Sequence, residues 1–330
     1  APGELRIFCN DEENKIWADG DPLRAARLGV RRRLIETQGV VATEESPIDA
    51  SLTIRSVVQR RMSEATEEAF AHLREHWETP DGWPIADGLT MFRHARELGM
   101  GFYYKWDPRP PPEWLDARRV WAKFVRETIK HSRKLDSELQ VRLWVQHPHP
   151  EQKELADWLK IKDSFEPNTV PVWIDDSVLQ TVDNWSRAHQ GIVWVEHRTV
   201  GARIEAELGI PYYANMGRDG KNRFIDDHPS GSLAASIASN KEGRNLQRWA
   251  ENFILSMPTT GTVVEQLLGR THRDGQQADE VVVEILLSCI EHREAFEQAK
   301  RDAEYIESST GTPQKLKVAG DRKEKFKVAA

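Results

Sequence analysis

Two arginines lie three residues apart in the run Gln266 to Gln276, Q-L-L-G-R-T-H-R-D-G-Q. On a helix, Arg270 and Arg273 project from one face, and Gln266, four residues before Arg270, joins them. A guanidinium is always charged and offers a planar fork of donors that matches phosphate oxygens. One amide and two such forks aimed together suit a triphosphate whose charge spreads during phosphoryl transfer. Spacing alone allows a second reading, in which the same residues form a solvated helix face. The apolar run Val263, Val264, Leu267, Leu268 predicts the helix that carries them, and Gly275 the turn that ends it.

The elements that must hold this run fill the second half of the chain, where short apolar stretches alternate with helical ones. Ile192 to Val195 is continuously apolar, the pattern of a buried parallel strand. Pro211 to Ala214, Ser232 to Ala238, Asn252 to Met257 and Glu280 to Leu287 predict further strands. Thr199 to Leu208 predicts a helix ended by Gly209. Such alternation specifies an α/β fold with a parallel sheet flanked by helices. Ligands gather at strand carboxyl ends in such sheets, and the flagged run is expected beyond one. Gly243 lets the chain turn sharply and expose amides, and Asn245 can bond phosphate or hold the arginine helix. An ordinary strand-to-helix turn is the alternative for Gly243-Arg244-Asn245.

The first 180 residues read as a mainly helical accessory region. Asp21-Pro22 precedes a helix predicted over Leu23 to Thr37, containing Arg31, Arg32 and Arg33. Val40-Val41 and Ser51 to Val58 look strand-like. Met62 to Trp77 is helical with no obvious cap. Nine of the twelve tryptophans fall between Trp77 and Trp185, which predicts a compact aromatic unit. Within it, the phrase Gly101 to Leu115 has an extended aromatic piece followed by a proline turn, and Pro112 or Glu113 begins a helix to about His131. Trp114, Arg118, Trp121 and Val125 recur along that helix as core positions, while Arg118, Arg119 and Lys105 could border a nucleic-acid path. His147-Pro148-His149-Pro150 lacks a third ligand at metal spacing and reads as a polar turn. Trp173-Ile174-Asp175-Asp176 resembles a magnesium-holding strand end, but a helix from Ser177 to Ala188 makes Asp175 or Asp176 its cap. No metal site is predicted.

Composition sets outer bounds. Hydrophobic residues make up 39% and charged residues 30% of 330, and no apolar run is long enough to span a membrane. Two cysteines exclude a disulfide framework and an all-cysteine zinc site, and fit a reducing cytoplasm. A net charge of −7 confines any nucleic-acid contact to local basic patches. The start Ala-Pro-Gly, without methionine, suggests a fragment. A long helix from Ser288 to about Ser308, with Ile290, Phe296 and Tyr305 inward, precedes a Lys-rich segment, residues 311–330, expected as a flexible basic tail.

The string Q-x-x-G-R-T-x-R-x-G-Q resembles motif VI of superfamily 2 helicases and translocases, especially the chromatin-remodeller-like branch. Ile192 to Arg198, I-V-W-V-E-H-R, resembles motif IV, and Ala235 to Gln247, A-S-I-A-S-N-K-E-G-R-N-L-Q, resembles motif V. The phrase from Gly101 to Leu115 resembles helicase-like proteins of phages and prophages. The resemblance implies that residues 181–310 form a second RecA-like domain. It implies arginine fingers at Arg270 and Arg273, and a phosphate-side contact at Gln266. Nucleotide-side contacts would fall at Glu242, Gly243 and Asn245, and nucleic-acid contacts at His197, Arg198, Ser239, Asn240 and Lys241. The implied cofactors are ATP and Mg, the implied partners nucleic acid (DNA ahead of RNA) and a first RecA-like domain in cis, and the implied location the cytoplasm of a bacterial or phage-infected cell.

The sequence departs from that pattern in having no G-x-x-x-x-G-K-[ST] loop. Gly217-Arg218-Asp219-Gly220-Lys221-Asn222 is too short between its glycines and lacks the magnesium-side hydroxyl. ATP and Mg would then be held mainly by the first domain, and the isolated chain is expected to lack appreciable ATPase activity. A non-catalytic nucleic-acid- or protein-binding module on the same fold is the alternative function.

Overall fold

The computed structural model describes residues 2–38, 48–58, 62–147, 152–166 and 168–321. The strand-like pair Val40-Val41, the turn residues 148–150 and the last part of the Lys-rich segment, residues 322–330, lie outside them. The chain divides into two compact units. One comprises residues 1–57, 185–287 and 293–330, and the other residues 58–184 and 288–292. The first 57 residues thus group with the sheet and not with the Trp-rich region that follows them in sequence.

Helix α1 (Asp11–Ala18) opens on a reciprocal cap. The Asn10 side chain accepts from the Glu13 amide at 2.9 Å, and the Glu13 carboxylate accepts from the Asn10 amide at 2.7 Å. Helix α2 (Pro22–Glu36) starts from Asp21, whose carboxylate takes the Arg24 amide, with proline in the first turn. Two of its three consecutive arginines are used within the unit. Arg32 bridges Glu13 and the Phe8 carbonyl, both at 3.1 Å, and the Arg33 guanidinium lies 5.1 Å from the Phe8 ring centroid. Strand β1 (Ser51–Val58) follows.

The second unit is built by α3 (Glu64–His76), α4 (Gly88–Gly99), β2 (Phe102–Trp106), α5 (Pro112–Lys130), α6 (Glu138–Gln146), α7 (Lys153–Ile161) and β3 (Thr169–Trp173). The first of these does carry a cap, the Ser63 hydroxyl accepting from the Thr66 amide. β2 and β3 pair antiparallel, Tyr104 opposite Pro171. Trp114, Trp121 and Val125 are core, as their helical spacing predicts. Trp83 and Trp106 lie with ring centroids 3.6 Å apart at a 32° tilt, and Trp158 meets Trp114 edge-on at 4.8 Å. Arg118 is buried and paired with Glu138, which also accepts from the Trp121 indole at 2.6 Å. That pairing removes Arg118 from any nucleic-acid path. Asp175 spends its oxygens on the amides of Ser63 and Ser177, the latter at 2.7 Å at the head of α8 (Ser177–Ala188), the capping role read from sequence.

The remaining strands are β4 (Gly191–Val195), β5 (Tyr212–Tyr213), β6 (Leu233–Ser236), β7 (Glu251–Ile254), β8 (Glu280–Leu287) and β9 (Gly320–Asp321). Between them run α9 (Arg198–Leu208), α10 (Ile237–Asn240), α11 (Gly261–Thr271), α12 (Ile290–Thr310) and α13 (Lys315–Val318). The seven-stranded sheet has the order β5-β6-β4-β7-β8-β1-β9. β4 pairs in parallel with β6 and β7, and β7 with β8. Every residue of β4 is buried because helices cover a parallel sheet on both faces. This is the α/β, RecA-like arrangement expected. Gly209 ends α9 at φ +69, as its position predicted. No helix among the described residues is long and apolar enough to cross a membrane.

Two expectations about the C-terminus change. Helix α12 buries Ala295, Phe296, Ala299 and Ala303, whereas Ile290 and Tyr305 are exposed. Nor are residues 311–321 a loose tail. Leu316 and Gln314 are buried, α13 packs on α11, and β9 adds to the sheet with Gly320 opposite Thr53.

Candidate functional site

The site is built on α11. Gly261 begins it, its amide donating to Asp302 at 2.9 Å; a β-carbon there would lie 2.6 Å from that of Asp302. Val264, Leu267, Leu268 and Thr271 form the buried stripe. The helix stops at Thr271, and His272 caps it by donating its amide to the Leu268 carbonyl at 3.0 Å. Arg270 therefore sits in the last turn, where the helix dipole favours a cation. Arg273 lies beyond the helix, so the two arginines are not two positions of one helical face. A loop brings them together instead.

That loop is Lys241 to Ala250, and four contacts interlock it with the end of α11 and the residues just after it. The Arg270 guanidinium donates to its own turn at Gln266 O (3.0 Å) and across to Arg244 O (3.0 Å). The Leu246 amide donates back to the Arg270 carbonyl at 3.0 Å. The Arg273 guanidinium donates to the Asn245 side-chain oxygen. Gln276, the last residue of the run, donates its amide to Thr271 O (3.0 Å) and Trp249 O (3.1 Å), fixing the turn into β8. Asn245 thus holds the arginine segment, one of the two roles its chemistry allowed.

Gln266, Arg270 and Arg273 line one open cleft of about 400 Å³, together with Lys315 from α13 and the carboxylates Glu265 and Asp274. Both arginines are half-buried, neither sunk in the core nor splayed apart. Burial and then the neighbouring Arg273 charge press the Arg270 pKa below its usual value, with Glu242 pulling the other way. Two like charges crowded at a partly dry surface are a poised anion site, because a bound anion relieves both strains.

The cleft lies elsewhere on the sheet than expected. β7 and β8 are parallel, so α11 must run back and end near the amino end of β8. The contacts agree: His272 Nε2 lies 2.9 Å from Ala50 O, just before β1, and the Ser51 amide donates to Asp279 O, just before β8. Arg270 and Arg273 therefore stand on the amino edge, not beyond a strand carboxyl end. The segments after β4 and β6 occupy the opposite edge. Lys241 to Ala250 carries the chain from one edge to the other.

The remaining sequence candidates fall into three groups. Glu242, Gly243 and Asn245 are exposed on the crossing loop; Gly243 has φ +68 with open space beside it, so the turn requires its conformational freedom. Ser239 and Lys241 are half-buried after β6, with Lys241 3.8 Å from Glu242. His197 precedes the first turn of α9, and Arg198 is exposed, donating to Asn215 at 3.1 Å. Asn240 is withdrawn as a nucleic-acid contact. It is fully buried, with its amide donating to Tyr213 O at 2.9 Å and Ser236 O at 3.0 Å. Arg244, Leu246 and Lys315 were missed. Arg244 stood inside the noted G-R-N turn, whereas nothing near Lys315 in sequence points to α11.

No family model matches this sequence, and no curated protein does. Among solved structures, the chain is similar to the C-terminal part of the Fun30 ATPase domain. Identity is 11% over 74% of this chain and 89% of that one, with a TM-score of 0.40. A likeness that distant assigns no function.

Proposed function

We propose that this chain is the second lobe of an ATP-driven nucleic-acid translocase or helicase, working on a nucleotide and Mg held by a first RecA-like domain. The observation that carries the reading is the convergence of Gln266, Arg270 and Arg273 on one cleft, at spacing that resembles motif VI. Arg270 is the member on the helix, braced by the crossing-loop backbone, and Arg273 the member beyond the helix, held by the Asn245 side chain. Both would stabilise charge on the transferred phosphoryl group. The crossing loop supports coupling: Arg244, Asn245 and Leu246 hold the arginines, while Ser239 and Lys241 start the same segment on the other edge. A shift of nucleic acid at one end would be transmitted to the arginines at the other.

A phosphate-release assay tests this. The isolated chain should show no appreciable turnover, because it has no Walker A loop. Joining it to a nucleotide-binding RecA-like lobe should produce turnover that nucleic acid stimulates. Robust hydrolysis by the isolated chain refutes the division of labour, and failure of every joined form to hydrolyse ATP favours the non-catalytic module.

A further inference from the structure

The connection from β5 to β6 is a built feature that the arginine site does not explain. Ala214 to Phe224 folds back on itself, with bridges pairing Ala214 to Arg218 and Arg218 to Phe224. Its keystone is Asp219, a buried carboxylate that accepts the amides of Lys221 (3.0 Å) and Arg223 (2.8 Å) and the Arg223 guanidinium (2.8 Å). The Arg218 guanidinium stacks 3.5 Å from the Phe224 ring centroid and donates to Asn222 O at 2.8 Å. Three non-glycine residues among those described have positive φ, and two of them, Met216 and Asn222, lie here. Met216 is held 80% exposed in that conformation. Backbone strain kept in an ordered surface loop marks a segment shaped for contact rather than for its own stability.

Its charge is one-sided. Arg223 is ion-paired with the one carboxylate of the hairpin, buried Asp219, at 2.7 Å, which leaves the charges of Arg218 and Lys221 without a carboxylate of the hairpin to offset them. Lys221, Asn222 and Arg223 at the tip are all exposed. Of the acids that follow, Asp226 is bonded by Arg244 at 2.9 Å and Asp227 is exposed. Arg244 also donates to Met216 O, and a β-carbon on Gly217, at φ +78, would lie 2.6 Å from its guanidinium. Gly217 is therefore what admits Arg244. The same Arg244 accepts the Arg270 hydrogen bond through its carbonyl.

We propose that the Ala214–Phe224 hairpin is a preformed contact for the phosphodiester backbone of nucleic acid, tied to the arginine cleft through Arg244. On a chain of net charge −7 such a contact must be local. A turn already fixed by Asp219 and by the Arg218–Phe224 stack loses little freedom on binding. Exposed Lys221, with the exposed Asn222 side-chain amide beside it, suits phosphate positioning without sequence readout. The proposal rests on the nucleic-acid reading of the chain, and its test separates the two.

Fluorescence anisotropy with a short labelled DNA duplex, in rising salt, would compare the chain with Lys221→Glu, Lys221→Arg and, on the crossing loop, Lys241→Glu. RNA of the same sequence and polyglutamate serve as competitors. Lys221→Glu should weaken binding roughly five- to tenfold at low salt and reduce the logarithmic salt slope by about one, while Lys221→Arg keeps both. An unchanged melting temperature would exclude misfolding. If Lys221→Glu binds like wild type while Lys241→Glu does not, the hairpin assignment fails and the translocase reading stands. If the wild-type chain binds neither DNA nor RNA, both fail. Polyglutamate competing as well as DNA, charge for charge, assigns the hairpin to an acidic protein and also overturns the proposal.

Discussion

Truncating Arg270 and Arg273 should affect stability unequally, and the structure gives the sizes. Among the described residues, Arg273 makes one side-chain bond, to exposed Asn245, worth about 0.5–1 kcal/mol at such a surface. Its removal also relieves the like-charge pressure on Arg270, which offsets part of that cost. Arg273→Ala should therefore change stability by at most about 1 kcal/mol, a melting shift of roughly 2–4 °C or less. Arg270→Ala is different. It strips the partner from the part-buried Arg244 carbonyl, and leaving a buried acceptor unpaired costs about 1–3 kcal/mol. The charge it removes is partly desolvated, so the net loss should be about 1–2 kcal/mol, or roughly 2–8 °C. Thermal melts of the two variants in one buffer read this directly. If Arg273→Ala costs as much as Arg270→Ala, Arg273 is a structural brace and is not available to a phosphate.

Other expectations concern single groups. Burial alone would raise the Asp219 pKa, but the amides and guanidinium around it outweigh burial and hold it below the usual carboxylate range. A lowered folded-state pKa gives stability that is complete above the unfolded value, about 3.9, and is lost as pH falls through the folded one. Asp219→Asn should thus lower the melting temperature at pH 7, with the difference shrinking below about pH 4. Burial pushes the Cys289 thiol up to about 12, so at pH 8 it should resist iodoacetamide until urea unfolds the chain, as mass spectrometry would show. Leu316→Ala should destabilise the sheet unit by about 2–3 kcal/mol in urea melts, whereas a loose tail would leave the midpoint unchanged.

The elements were legible where one physical rule dominates. The uninterrupted apolar run of β4 matches a strand covered on both faces, and Gly209 stands where a helix with a left-handed C-terminal residue needs glycine. The arginine run was legible as chemistry but not as geometry. Helical spacing placed Arg273 on α11, yet the buried stripe ends at Thr271 and His272 closes the helix. Side-chain type also misled at Asn240 and Arg118: each is polar enough for a surface contact, but one satisfies two buried carbonyls and the other Glu138. Contacts between segments distant in sequence left no local trace. Lys315 reaches the cleft because α13 packs on α11, and nothing in the Lys-rich composition of the C-terminal segment distinguishes that from a solvated tail. The hairpin was noted only for failing as a phosphate loop; its fixed turn depends on Asp219 being buried, which no pattern of residues reports.

The action proposed for Arg270 and Arg273, on a phosphate bound by another domain, is measured most directly by turnover of the chain joined to a nucleotide-binding lobe. Arg273→Ala should lower kcat by about a thousandfold or more while nucleotide and nucleic acid still bind. Wild-type kcat in that variant, with the fold intact, would contradict it.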